Sequence, residues 1–512
     1  MIKTDSGASL GMTQGYTPTV DRHLALLYAP SGKSAWRLVP QIDKHPGLVA
    51  YVQGLRGRLV LLAVVAALAA PAGLFGIDLT VAPLAMAVGY AQKLRRYLIP
   101  LATLLVLCRN GFWIDGDLVQ RVADQEGLGD HVTVSLLCFA SLVLVIILCS
   151  CLLALWQRVV AIQLFRRSTL CLISGFIGLV VVAESSMIAG MPRILLWSFL
   201  VALHPYLWFL AYALADAAAP GRAPFWQYLG VFHPFWGSTL TPFGKGLSYL
   251  AKFEAKTSEE LAVTQLKGLK LAVWTLLLAV CLNGLRTLVH GQLGLPSFDE
   301  TFLAHIGGAN YPRYLCWASL VTYFFEDVLV MTTWGGAIIA CARMAGFRLL
   351  RNTCRPLEAT TLVEFWNRYY FYYKELLVDH FSYPVFLRYF RTNRKLRMFF
   401  ATFMAACLGN LLFHFIRDIR FVVELGWWKA LTGEASHAFY TLLLAVGVGV
   451  SQMQTQGRAR ADHGRSARAL GMIWVILFFC LLHVFDAPLD RVHTIWQRAD
   501  FLAYLFGVDT WI

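Results

Sequence analysis

Residues 132–157, VTVSLLCFASLVLVIILCSCLLALWQ, continue without one charged side chain. A segment so long and apolar is stable in hydrocarbon only if its backbone closes its own hydrogen bonds, which an α-helix does. It reads as a membrane-spanning helix. Runs of the same kind follow on either side, at 57–78, 169–190, 193–217, 268–290, 313–342, 437–454 and 470–488. Weaker ones lie at 79–92, 97–114 and 398–417. Together they predict about eleven crossings. The run at 313–342 is long enough to hold a break. The expected fold class is all-α, a polytopic helical membrane protein with its helices around a central chamber.

Composition agrees. The 512 residues are 58% hydrophobic and 14% charged, whereas a soluble domain carries about 25% charged residues. The net charge of +14 does not point to nucleic acid, and no nucleic-acid partner is expected. The basic residues cluster in short connections, at Lys93-Leu94-Arg95-Arg96, 158–167, 343–355, 388–397 and 458–468. Such loops mark the cytoplasmic side of a membrane. With 79–92 and 97–114 both counted as crossings, the N-terminus lies inside and the C-terminus outside.

Five regions emerge from these patterns. Residues 1–56 form a polar cytoplasmic segment that lacks the apolar core of a signal peptide. Residues 57–217 are dense in spans. Residues 218–267 mix aromatics with Gly, Pro and Lys, as in His233-Pro234-Phe235-Trp236-Gly237 and Pro242-Phe243-Gly244-Lys245-Gly246. This pattern fits an interfacial or re-entrant element, or a loop lying on the headgroups. Residues 268–488 form a second transmembrane core, with its motifs at 343–418, and 489–512 are a C-terminal tail. The eleven cysteines form no CxxC and read as small apolar residues.

Ionisable residues inside apolar spans are costly, so they usually face a cavity with a task. Glu326 and Asp327 follow Tyr323-Phe324-Phe325 within a span, where they either cap a helix break or line a polar cavity. At 100° per residue, Cys407, Asn410, His414, Arg417 and Asp418 fall within an arc of about 100°. A neutral imidazole on that stripe can take a proton from a hydroxyl near working pH; a histidine satisfied by a carbonyl between helices is the alternative. The preceding stretch, 364–380, also fits a helix. There Asn367, Tyr370 and Lys374 share one face, Arg368, Glu375 and Asp379 share another, and Pro384 ends the helix.

These residues, Gly346-Phe347, Asn352, Pro356, Phe365-Trp366-Asn367-Arg368, Asp379, Pro384 and then His414, resemble the membrane-bound O-acyltransferase (MBOAT) family. They are most similar to its bacterial members that modify polysaccharides and teichoic acids. The resemblance covers roughly 343–418. Departures are Tyr369 for a tryptophan, Tyr370 for a first histidine, Val378 for an arginine, and Thr332-Thr333-Trp334-Gly335-Gly336 for an Asp-Phe-Ser-Gly run.

The resemblance implies an integral protein of the bacterial inner membrane that moves an acyl group from a thioester onto a hydroxyl. The donor would be acyl-CoA or an acyl carrier protein. The acceptor would be an envelope glycan, a membrane lipid or a small metabolite, with an outward-facing partner protein receiving the group. His414 would be the general base, and Asn367, with Asn410, would donate to the thioester carbonyl. Trp366, Arg368, Tyr370 and Lys374 would bind substrate, and Arg388, Arg391, Arg394, Lys395 and Arg397 would dock donor phosphates. No bound cofactor is expected, and without HExxH no metal. Two other readings stay open: a non-catalytic scaffold on the same fold, and a transporter or polymerase of lipid-linked glycans. A haem or quinone protein fits poorly, because His204, His414 and His483 stand singly on separate helices.

Overall fold

The computed structural model describes residues 38–75, 79–109, 114–159, 168–217, 227–228, 234–236, 240–455, 464–486 and 493–508. Over these residues the protein is all-α, with a single isolated β-bridge between Glu254 and Phe347. Among the described residues, seven helices are long and apolar enough to cross a membrane: Leu55–Leu74, Val134–Leu155, Met191–Ala217, Ser258–Gln292, Arg313–Met344, Arg394–Arg417 and Arg465–Asp486. This is an integral membrane protein of polytopic helical architecture.

The remaining expected crossings take other forms. Residues 169–190 are served by the shorter Ser168–Glu184 helix. Residues 79–92 and 97–114 hold Ala82–Tyr90 and Arg95–Arg109, of 9 and 15 residues. At about 1.5 Å per residue neither is as long as a hydrocarbon core of about 30 Å. Ala435–Thr455 is a helix of 21 residues whose Ser436, His437 and Thr441 are buried in protein. The run at 313–342 contains no break; it is one helix of 32 residues.

Helix starts are set by side-chain chemistry. Thr257, Thr361 and Asn393 each accept from a backbone N–H three residues on, satisfying a donor that the helix cannot. Ser297 with Glu300 and Thr494 with Gln497 form capping boxes. The two longest helices, Ser258–Arg286 and Arg313–Met344, pack along each other through small residues. A Cβ on Gly268 would lie 3.2 Å from the Ala340 carbonyl oxygen, and one on Gly336 would lie 2.5 Å from Thr275 Oγ1. Such close backbone approach is how helices associate where lipid removes the hydrophobic drive.

Of the 218–267 segment, Phe225, Trp226, His233 and Gly237 lie outside the described residues. Phe235, Trp236 and Phe243 are buried against the rest of the protein. Lys245 takes φ +55° and reaches inward. Cys149 is buried while Cys151 on the same helix faces outward.

Among the described residues, three apolar clusters pack the interior. One gathers around Trp197, Trp208 and Phe413, a second around Trp236, Phe243 and Phe347, and a third around Phe324, Phe365 and Phe479. Trp366 packs against the first and third, and Tyr370 against the first and second. The polar-aromatic stretch thus runs through the junction of all three.

Candidate functional site

At that junction lies a cavity of about 410 Å³, within the range of small-ligand sites. Trp366, Tyr370, Lys374, Asn410 and His414 line it together. Asn367 and Arg368 are not in its wall.

The division has a local cause. The stretch 364–380 is not one helix. Leu362–Tyr369 ends, Tyr370 takes φ −134° and ψ 78°, and Phe371–Leu377 begins anew. The preceding loop holds the break open. Thr353 Oγ1 donates to the Tyr369 carbonyl at 2.7 Å. Cys354 N donates to the Arg368 carbonyl at 2.8 Å, and Phe371 N to the Asn352 carbonyl at 2.9 Å. Asn352 Oδ1 also accepts from Tyr372 N at 3.3 Å. The break turns Tyr370 and Lys374 into the cavity and separates them from Asn367. Arg368 is tied elsewhere, donating to Glu364 at 2.6 Å and to the Arg355 carbonyl at 3.1 Å. Its position fits a brace of the loop. Pro384 sits in the first turn of the short Tyr383–Phe386 helix.

The helix carrying His414 is also interrupted. Arg394–Phe403 passes through a π-helical stretch, Met404–Gly409, into Asn410–Arg417. Wide turns of this kind shift the register of the turns after them and recur at functional sites. Asn410, His414, Arg417 and Asp418 reach the cavity, whereas Cys407 does not; its thiol lies 4.0 Å from Thr441 Oγ1. Tyr373 donates to Asn410 Oδ1 at 2.6 Å and sets its ring edge-on to His414, 6.2 Å between centroids. Arg417 forks onto Asp418 at 2.9 and 2.7 Å.

Lys374 is not a lone cation. Its Nζ donates to Glu375 Oε1 at 2.5 Å and sits 4.8 Å from the Phe371 ring centre. Lys245 meets the other oxygen of Glu375 at 2.7 Å and Asp379 at 2.8 Å, and Tyr212 donates to Asp379 at 2.8 Å. Burial disfavours charge on Glu375, but Lys374 and Lys245 outweigh it and hold the carboxyl well below the usual range.

Sequence reasoning missed three cavity groups. His437, from the Ala435–Thr455 helix, lies tilted against His414 with 4.2 Å between centroids. Its Nδ1 lies 2.9 Å from Oδ1 of Asp486, at the end of Arg465–Asp486. Tyr440 joins them, its ring 5.3 Å from His437. The available signal was a histidine at the head of one apolar run and an aspartate at the foot of another, a pattern shared with interfacial residues. Asp327 lines the cavity and accepts from Tyr369, with His483 Nε2 3.9 Å away. Glu326 instead pairs with Arg286 and His290. His204 is a core histidine, Nδ1 2.8 Å from the Val201 carbonyl. Arg388, Arg391, Arg394 and Lys395 are exposed, and Arg397 covers Phe386 at 3.9 Å. Among the described residues no cluster of three or more His, Cys, Asp or Glu could hold a metal ion.

Compared with protein-family models and with curated proteins, the chain matches none.

Proposed function

We propose that this protein is a membrane-embedded acyltransferase, moving an acyl group from a thioester donor to a hydroxyl. The observation that carries the reading is His414 opening into a polar-aromatic cavity among membrane helices, with Asn410, Lys374, Tyr370 and Trp366 around it. A thioester is already activated, so the protein has to align two substrates and move a proton. Alignment of both substrates in one chamber accounts for much of such a rate.

In this reading His414 takes the proton of the acceptor hydroxyl as its oxygen attacks the thioester carbonyl. The C–O bond forms, the C–S bond breaks with its electrons on sulfur, and the proton passes to that sulfur to give the free thiol. Asn410 has its side-chain oxygen engaged by Tyr373, so it offers its amide N–H to the oxygen on which charge develops. That role suits Asn410 better than Asn367, which lies outside the wall. Trp366 and Tyr370 shape the substrate space, and Lys374 sets the charge of one wall. Acyl-CoA or an acyl carrier protein is the donor. An envelope glycan, lipid or small metabolite is the acceptor, in the cytoplasmic membrane of a bacterium.

The test compares envelope glycans and lipids by mass spectrometry in wild type, a deletion strain, and the deletion carrying His414→Ala at matched protein level. The expected result is loss of an acyl-sized mass on deletion, restored by the wild-type gene and not by His414→Ala. Full restoration by His414→Ala overturns the assignment of the base. Identical envelopes in wild type and deletion overturn transfer to an envelope glycan or lipid, and an unchanged pool of acylated small metabolites in the same strains overturns the acyl-transfer reading.

A further inference from the structure

His414 stands against a second imidazole that is itself tethered to a carboxylate. The His437 ring contacts His414 at 4.2 Å with 38° between planes, and it stacks on Tyr440 at 5.3 Å with 19° between planes. His437 is 8% exposed. Two successive contacts fix its helix to the end of the next: Ser436 Oγ donates to the Phe485 carbonyl at 3.0 Å, and His437 Nδ1 meets Asp486 Oδ1 at 2.9 Å. The ring has no freedom to rotate away without breaking its bond to Asp486 and its stack on Tyr440. The Tyr373 ring also stands near-perpendicular to His414, 6.2 Å between centroids.

We propose that Asp486, acting through His437, sets both the orientation and the basicity of His414. The two are positioning residues for the base. Orientation comes from packing, since a tethered flat ring at van der Waals contact leaves His414 few rotamers that still face the cavity. Basicity comes from charge. A carboxylate held against Nδ1 of His437 keeps that nitrogen as the N–H donor and keeps negative charge close behind the ring. Positive charge arising on His414 as it takes a proton is then met by Asp486 in a low-dielectric site. Other charged groups face the same cavity: Arg417 on the His414 helix, forked onto Asp418, and His483 and Arg498 from neighbouring helices, with Arg498 donating to the Val484 carbonyl at 2.8 Å; of these and His437, only His437 is bonded directly to Asp486.

The contribution to turnover rests on the acyl-transfer reading; the effect on His414 does not. The experiment therefore has two readouts. The first is the rate at which diethyl pyrocarbonate modifies His414 in purified wild-type protein and in Asp486→Asn, followed by peptide mass spectrometry at pH 8, where an ordinary imidazole is neutral. A less basic imidazole is a weaker nucleophile, so Asp486→Asn is expected to slow modification of His414 several-fold at unchanged melting temperature. His437→Gln, which lacks the ring, is expected to change the rate as well. The second is envelope acylation per molecule of protein: Asp486→Asn is expected to fall about 10- to 100-fold, the range for carboxylates that orient a histidine ligand at metal sites, and Asp486→Glu to recover part of it. An unchanged modification rate in both Asp486→Asn and His437→Gln overturns the proposal, whatever the envelope shows. Slowed modification in a protein that transfers no acyl group upholds the action of Asp486 on His414 and removes only the reaction assigned to it.

Discussion

The hydroxyl of Tyr373 donates to Oδ1 of Asn410 at 2.6 Å, joining the polar-aromatic stretch to the helix that carries His414. Both residues are buried. The bond fixes the distance between the two walls of the cavity and determines which end of the Asn410 amide is left for a ligand.

Removing that hydroxyl with Tyr373→Phe leaves a buried amide oxygen without its donor. The expected cost is about 1–3 kcal/mol, read as a lower melting temperature in detergent. Acyl transfer is expected to fall without disappearing, since His414 keeps its place. A variant with unchanged stability would mean that Asn410 finds another partner.

Glu375 predicts a pH dependence. An unfolded glutamate titrates near about 4.3. Despite the burial that opposes its charge, Lys374 and Lys245 hold Glu375 well below that value in the fold. The folded form thus binds fewer protons than the unfolded chain as the pH drops through the ordinary glutamate range. Its stabilisation is complete above that range and is lost as the pH falls toward the folded value. Glu375→Gln removes one partner of buried lysines and is expected to cost about 3–5 kcal/mol at pH 7. Its melting temperature should change less than that of wild type between pH 5 and pH 3. Parallel melting curves across that window would sink the account.

Arg368 braces a loop outside the cavity. Arg368→Ala loses charged hydrogen bonds to Glu364 and the Arg355 carbonyl, each worth about 1.5–3 kcal/mol. The yield of folded protein should drop while activity per folded molecule holds. A normal yield with lost activity would instead return Arg368 to the substrate site.

Gly346 tests the backbone. Its φ is +91°, and a Cβ there would lie 2.8 Å from Arg95 Nη2. Arg95 is fully buried and donates to the Gly89 carbonyl at 2.8 Å and the Ala255 carbonyl at 3.2 Å. Gly346→Ala therefore combines left-handed strain with displacement of a buried guanidinium. The strain alone costs about 1–3 kcal/mol, and thermal unfolding in detergent should show at least that.

Hydropathy along the chain was enough for the helical, membrane-embedded class and for the approximate bounds of its long helices. Each depends on a sum over neighbouring residues, and the Val134–Leu155 helix was readable from its own letters. The stripe with Asn410, His414 and Arg417 was also legible, because four-residue spacing survives a π-helical turn placed ahead of it. The face shared by Asn367 and Tyr370 was not. The break at Tyr370 is imposed by hydrogen bonds from residues 352–354, and no local pattern carries that information.

Sequence by itself determined that this chain is a bundle of membrane helices with an ionisable histidine in one of them. Apolar length and backbone self-satisfaction leave a chain in lipid no other architecture of this composition. The tertiary structure alone decided what surrounds that histidine. His437 and Asp486 are 49 positions apart, on helices whose separate hydropathies are indifferent to each other. His437 meets His414, and Asp486 meets His437, only because packing brings three helix ends to one cavity, and close packing admits few ways of filling that space.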